Sequence, residues 1–380
     1  MSTNGSGDNL LTALVAGSTA AAATSTITYS LDFIKTQQQL NNASYMAKWK
    51  VPGNFPSSLA QLHRGCSALV LGSVMKNSTR LIAYNWSCKF MAIESHNAHG
   101  TNKTKTSAPR IVIAGMMSAF VETLCLIPFE NIKITMIQNQ SLQNDMVRSP
   151  NLDVTGSGVV GKHHKTHATV FSKQYVSPHA YFTGDVIAQY KCGKNYSKFQ
   201  PPKPHDPLDI LKINYNKHPS LTFLGTIKEI YLLKGLGGFT AGTFITFSRQ
   251  IAISTVWFST YNATRQLIDP HNTEQGWFGH NHTAIQSVGL HLLSSIAVIA
   301  VTQPLDVVKS HIQSKNGKMI YKDSLSTAYR LFLDEGAKAL FKGALPRAFK
   351  VLVSGGLTAA VYSKVEGVVE VAGGQTLFAE

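Results

Sequence analysis

Charge is scarce in this chain. Asp, Glu, Lys and Arg make up only 14% of its 380 residues, against about a quarter in an ordinary soluble domain. Cysteine is scarce too: Cys66, Cys88, Cys125 and Cys192 stand apart with no CxxC pair, which argues against a zinc ribbon or a disulfide framework. The net charge is +15, yet no long Lys/Arg block or recognition motif goes with it, so no nucleic-acid partner is expected. An anionic membrane surface is the other partner such a charge allows. The first residues, MSTNGSGDNLL, have no basic stretch leading into an apolar one, so a cleaved secretory signal is not expected. No Ser, His or Cys falls in a recognisable nucleophile motif. An enzyme is not expected, and no cofactor is implied.

What is present is long apolar runs, over 9–34, 66–91, 108–129, 238–268, 281–303 and 343–371. At 1.5 Å per residue each is long enough to cross a hydrocarbon layer of about 30 Å. None is purely apolar. Gly, Ala, Ser and Thr recur, as in AGSTAAAATS and SGGLTAA, where helices must approach closely in lipid. The competing reading is a large soluble helical protein with buried helices.

Three of these runs end alike. SLDFIK occupies 30–35, PFENIK 128–133 and PLDVVK 304–309. Each is Pro or Ser, any residue, an acid, two residues and a base, and each closes an odd-numbered run. One copy means little; three at the same end of a span indicate an internal repeat. The acids Asp32, Glu130 and Asp306 are 98 and 176 residues apart. Residues 141–217 account for nearly all of the excess. They are polar, rich in Gly, Pro, His and Lys, and read as an inserted loop, mostly disordered on composition. Its KHHKTH, with His163, His164 and His167, has no cysteine or carboxylate close by, so a solvated basic loop is favoured over a metal site. The insert carries ten Lys/Arg against five Asp, which suits contact with an anionic membrane surface. Removing it gives repeats of about 100 residues, over 1–100, 101–272 and 273–380.

The chain thereby resembles the mitochondrial carrier family, which has three repeats marked by this Pro-acid-base signature. DEGAKALFKGALPR at 334–347 is similar to the family's link into the sixth helix, and LKGLGGFTAG and LHRG are weaker versions in repeats two and one. The resemblance implies an all-α membrane protein: six tilted transmembrane helices, three pseudo-threefold-related repeats, and short helices along the matrix surface, for example within 219–234 and 321–335. It also implies a monomer in the mitochondrial inner membrane, with both termini toward the intermembrane space and the insert in the matrix.

Threefold symmetry would gather Asp32, Glu130 and Asp306 with Lys35, Lys133 and Lys309 of neighbouring helices into a matrix gate, tolerable in a membrane because the charges are paired. Pro bends are expected, with Ser30 weakening the first. Gln39 and Gln313, one turn on, are expected to brace the pairs; Ile137 leaves repeat two without one. On the other side Tyr84, Tyr261 and Tyr362 stand in the family's outer-gate pattern, but Asn85, Asn262 and Ser363 replace its acids. This thin outer gate implies a resting state open to the cytoplasm.

Aligning the even helices on Gly65, Gly242 and Gly343 puts Gly72, Arg249 and Lys350 at the family's substrate level. Gly72, Lys76 and Arg80 share one helix face. With Gln250, Glu122 and Ser73, this set looks most like the tricarboxylate, or citrate, carriers. Four cations suit a substrate with two or three carboxylates, Gln250 and Ser73 add hydrogen bonds, and Glu122 orients a cation or accepts a proton. Arg347, after Pro346, reads as structural. Phe341, Lys342 and Gly343 are positioned to hold a cardiolipin phosphate. The alternatives are a dicarboxylate or 2-oxoacid carrier, and a non-transporting inner-membrane scaffold.

Overall fold

Every regular element among the described residues is helical. The computed structural model describes residues 5–41, 58–91, 108–148, 176–184, 186–187, 206–268, 284–321 and 323–374. In chain order the helices are α1 Gly5–Leu40, α2 Leu59–Leu62, α3 Cys66–Met91, α4 Ala108–Arg148, α5 Pro207–Lys217, α6 Phe223–Lys234, α7 Thr243–Ile268, α8 Ala284–Gln313, α9 Gly317–Ile320, α10 Ser324–Glu335 and α11 Ala344–Gly374. Pro128 lies inside α4 and Pro304 inside α8, and both helices run on through them.

The chain divides into two compact units. One holds Met1–Tyr29, Cys66–Glu130 and Lys350–Glu380; the other holds Ser30–Gly65 and Asn131–Phe349.

The first unit is knit by small and hydroxyl-bearing side chains. Ala16, Ala20, Thr24 and Thr28 recur every fourth residue along α1 and all are buried, a stripe narrow enough for helices to close on. Ser25 donates to Ser73 at 2.6 Å, Thr24 and Thr358 share a hydrogen bond of 3.1 Å, and Ser18 and Ser78 one of 3.2 Å. Ile27, Met116, Phe120 and Leu352 are exposed. Polar groups inside and large apolar groups outside is the polarity of a helix bundle in lipid.

The second unit repeats a motif. Helix α6 ends at Gly235, a 3-10 turn Leu236–Gly238 follows, and Gly242 leads into α7. Likewise α10 ends at Gly336, a 3-10 turn Ala337–Phe341 follows, and Gly343 leads into α11. Both short helices fall inside the ranges expected for them. The aligned glycines Gly65, Gly242 and Gly343 all take positive φ, of 91°, 76° and 76°. A Cβ on Gly343 would stand 3.1 Å from Cγ and from the carbonyl oxygen of Lys35. Gly343→Ala therefore meets both a left-handed backbone and a fixed carbonyl, and costs about 1–2 kcal/mol from the backbone alone. A lower Tm in detergent, larger than that of Gly355→Ala, where a Cβ meets nothing within 4 Å, is the expected result.

Two expectations change at this level. The segment Leu292–Gln313 alone is apolar enough by mean hydropathy to cross a membrane among the described residues; Phe223–Lys234 with Leu236–Trp257 passes only as a pair bent by 110°. The other long helices are diluted by the small and polar residues that line their inner faces. The insert, expected to be mostly disordered, is in part built. Helix α4 continues through it to Arg148, α5 fills 207–217, and Val176, Ser177, Ala180, Tyr181 and Phe182 are buried. Composition misleads here because the polar side chains of the insert bond one another and the helix ends. The KHHKTH stretch lies outside the described residues.

Candidate functional site

The same fourfold spacing that buries Ala16 to Thr28 continues through Asp32 and Thr36 on α1. On α8 it runs through Val298, Thr302, Asp306 and Ser310, all buried. Burying an acid on such a stripe requires a cation beside it, and the second unit supplies several. Lys133 of α4 reaches Asp32 at 3.2 Å. Lys35 of α1 reaches Oδ2 of Asp306 at 2.8 Å.

Asp306 gathers more than its expected partner. Arg347 of α11 also meets Oδ2 at 2.8 Å, and Arg249 of α7 pairs with Oδ1. Arg347 is itself oriented: it donates to Thr302 Oγ1 at 2.8 Å and to Gln303 Oε1 at 3.1 Å. Gln303 in turn donates to the Lys342 carbonyl at 2.7 Å. One carboxylate, with its side chain 4% exposed, thus holds three cations from three helices. Arg347, read from the sequence as structural, pairs with Asp306, and Arg249, expected at substrate level, pairs with the same carboxylate. The signal available for Arg347 was its place four residues past Gly343 on the helix that follows the third signature.

Lys309 is buried in the same unit, and Glu130 closes the first unit; both are engaged. Gln39 accepts from Ser310 at 2.7 Å, and Gln313 donates to the Ala241 carbonyl at 3.4 Å. These are contacts one turn beyond the bases Lys35 and Lys309, to a hydroxyl and to the loop before α7. Lys342 pairs with Glu335 and donates to the Asn41 carbonyl at 3.1 Å, so its ammonium is occupied by protein.

In the first unit Glu122 of α4 is buried and takes two cations from α3: Lys76 at 3.4 Å and Arg80 at 3.9 Å. Lys76 and Arg80 remain 44% and 68% exposed, so both keep room for a second anionic partner. Ser73 is held by Ser25, and Ser118 donates to the Arg80 carbonyl at 2.8 Å. Lys350 and Gln250 are half-buried. Tyr84 is exposed; the side chains of Tyr261 and Tyr362 lie outside the described residues. No group of three or more His, Cys, Asp or Glu able to hold a metal occurs among the described residues.

Helices joined by acid-base pairs at a repeated signature fit a carrier-type transporter. The chain matches the mitochondrial carrier family: that family's sequence profile, Mitochondrial carrier protein, matches residues 6–95 and 281–370, within the first and third of the repeats expected from the sequence. An uncharacterized mitochondrial carrier of Saccharomyces cerevisiae is 28% identical over 93% of this chain and 93% of its own length. Mitochondrial citrate transporter A of Aspergillus niger is 27% identical over 93% and 90%. The tricarboxylate transport protein of S. cerevisiae is 25% identical over 93% and 94%. Within the family, the chain is thus similar to tricarboxylate carriers.

Proposed function

We propose that this carrier exchanges a tricarboxylate of the citrate or isocitrate type for another carboxylate across the mitochondrial inner membrane, by alternating access. Six spans in three pseudo-threefold repeats form the bundle, acting as a monomer, and the chain's own residues do the work without a cofactor. Cardiolipin binds at the start of α11 through backbone N–H groups.

The observation that carries this reading is the attachment of Arg249 to Asp306. Arg249 stands at the level where the family concentrates substrate contacts, and Asp306 is a gate acid. A substrate carboxylate offers Arg249 a two-pronged partner. Taking it removes one of three cations from Asp306, which loosens the gate as the site fills. The binding energy of the anion offsets the broken pair. The pairs Lys133–Asp32 and Lys35–Asp306 run in one cyclic sense, base of one odd helix to acid of another. Lys309 and Glu130 are assigned to the same gate as the remaining base and acid of the repeated signature.

In the first unit, Glu122 holds Lys76 and Arg80 while no substrate is present. The carboxylates of the substrate compete for them, and Ser73, Gln250 and Lys350 are assigned as further substrate contacts. Opening the gate without substrate parts Arg249 from Asp306 with no anion to replace it, which favours exchange over net transport. Tyr84, Tyr261 and Tyr362 are assigned to the outer gate.

Lys76 and Arg80 supply charge for a third carboxylate. Lys76→Gln is therefore expected to raise KM for citrate about tenfold, the worth of one charge-assisted hydrogen bond, and to change that for malate much less. Equal effects on both would point to the dicarboxylate carrier. The overall reading is tested in liposomes loaded with citrate, malate, 2-oxoglutarate or phosphate and offered labelled citrate outside. Uptake that needs an internal tricarboxylate or dicarboxylate supports it. Exchange of malate or 2-oxoglutarate without citrate favours the dicarboxylate or 2-oxoacid carrier, and no exchange of any anion favours the scaffold.

A further inference from the structure

The built part of the insert is docked with a specificity that a passive loop does not need. The tripeptide Ala180-Tyr181-Phe182 is read on its backbone by two buried asparagines, much as a neighbouring strand would read it. Asn216 accepts the Tyr181 N–H at 2.7 Å and donates to the Tyr181 carbonyl at 2.9 Å. Asn316 accepts the Phe182 N–H at 2.9 Å and donates to the Ala180 carbonyl at 2.7 Å. Side chains on the segment then reach outward. Ser177 donates to Asp145 Oδ2, at the end of α4, at 2.6 Å. His179 Nε2 lies 3.0 Å from Asn41 Oδ1, just past α1. The Tyr181 hydroxyl donates to Glu229 Oε1 in α6 at 2.9 Å, and the Lys315 ammonium sits over the Tyr181 ring, 4.7 Å from its centre. Val176, Ala180 and Phe182 pack with Leu142 of α4 in a small apolar core.

These partners come from all three repeats: Asn41 from the first; Asp145, Asn216 and Glu229 from the second; Lys315 and Asn316 from the third. Asn41, Asp145, Lys315 and Asn316 follow, or extend, the helix ends that carry the three acid-base signatures, while Asn216 and Glu229 stand on α5 and α6. We propose that residues 177–182 are a latch: seated, they tie the ends of α1, α4 and α8 together, and they leave their seat each time those ends part. The proposal rests on alternating access, and it assigns to the insert the control of how often the gate on that side opens.

The seat is built to release. Lys315 Nζ, His179 Nδ1 and Asp145 Oδ1 are buried with no hydrogen-bond partner. Burial pushes the Lys315 ammonium down to about 8 and the His179 imidazole down to about 3, and pushes the Asp145 carboxyl up to about 6. Each is a cost of staying docked that the hydrogen bonds must offset. A segment with strong specific bonds and several unmet buried groups is held in one place, yet not tightly.

The test uses the full chain in liposomes, with Cys66, Cys88, Cys125 and Cys192 replaced by Ser. In Ser177→Cys with Asp145→Cys the latch is fixed by oxidation or by a short bis-thiol-reactive bridge. Carboxylate exchange is expected to fall at least about tenfold when bridged and to return on reduction, as for an equilibrium held in one state. Equal rates bridged and reduced overturn the latch. Should the reduced pair not exchange, Asn316→Ala with Ser177→Cys decides. Faster reaction of the buried thiol with a membrane-impermeant reagent from the insert's side, relative to Ser177→Cys alone, supports the latch, and an unchanged rate overturns it. If the cysteine-free parent exchanges no anion, the fault lies with the transport reading; if it exchanges and these variants change nothing, only the latch fails.

Discussion

Asp306→Asn is expected to abolish exchange, lowering the rate by at least about a hundredfold, and to lower Tm in detergent as well. The substitution keeps the shape of the side chain and removes the charge that Lys35, Arg249 and Arg347 share. Three cations then face one another in a dry setting. Removing one partner of a buried ion pair costs about 3–5 kcal/mol, because the charge left behind has neither water nor a counterion. Spent on the gated state, that free energy corresponds to roughly two to three orders of magnitude in rate. Asp306→Glu keeps the charge but moves it by one methylene, and is expected to retain part of the activity. Near-normal exchange by Asp306→Asn would mean that the cluster is structural and that the gate lies elsewhere.

Arg249→Gln is the second large effect. Two consequences are expected together: citrate exchange falls by about a hundredfold, as for loss of a bidentate carboxylate contact that also sets the gate, and the gate ceases to respond to substrate. Arg249→Lys keeps a point charge without the planar fork, so it is expected to hold Asp306 and stay close to the parent in Tm while losing about tenfold in exchange. That split separates a substrate contact from a packing role. If Tm and exchange fall in parallel across both variants, Arg249 acts through stability alone.

Much of this was legible in the sequence because it is periodic. SLDFIK, PFENIK and PLDVVK announce themselves by repetition, and the pairs Lys133–Asp32 and Lys35–Asp306 follow from placing three like helices around an axis. The alignment on Gly65, Gly242 and Gly343 picked out three residues that share a left-handed backbone, a property of local geometry that glycine alone tolerates well. What could not be read is what depends on partners far apart in the chain. Arg347 joined the Asp306 cluster only once α8 and α11 were side by side, with Thr302 and Gln303 turned toward it. Lys342, positioned for a lipid phosphate, meets Glu335 first.

The insert shows the same limit more sharply. Its composition is that of a solvated loop, and no window of it carries a helical or alternating pattern strong enough to predict burial. Its order comes from Asn41, Asp145, Asn216, Glu229 and Asn316, which are spread over some 275 positions. Each is an unremarkable polar residue alone. Together they satisfy a backbone segment that would otherwise remain in water.

In the proposed exchange, occupancy of Arg249 by a carboxylate frees Asp306 and opens the gate. Ser310, buried one turn past Asp306 and bonded to Gln39, reports on it. In the cysteine-free chain carrying Ser310→Cys, reaction with a membrane-impermeant thiol reagent supplied on the gate's side is to be timed with and without citrate. Slow labelling that citrate accelerates about tenfold is expected, with no acceleration once Arg249→Gln is added. Labelling at one rate with or without citrate, or acceleration that survives the loss of Arg249, contradicts it.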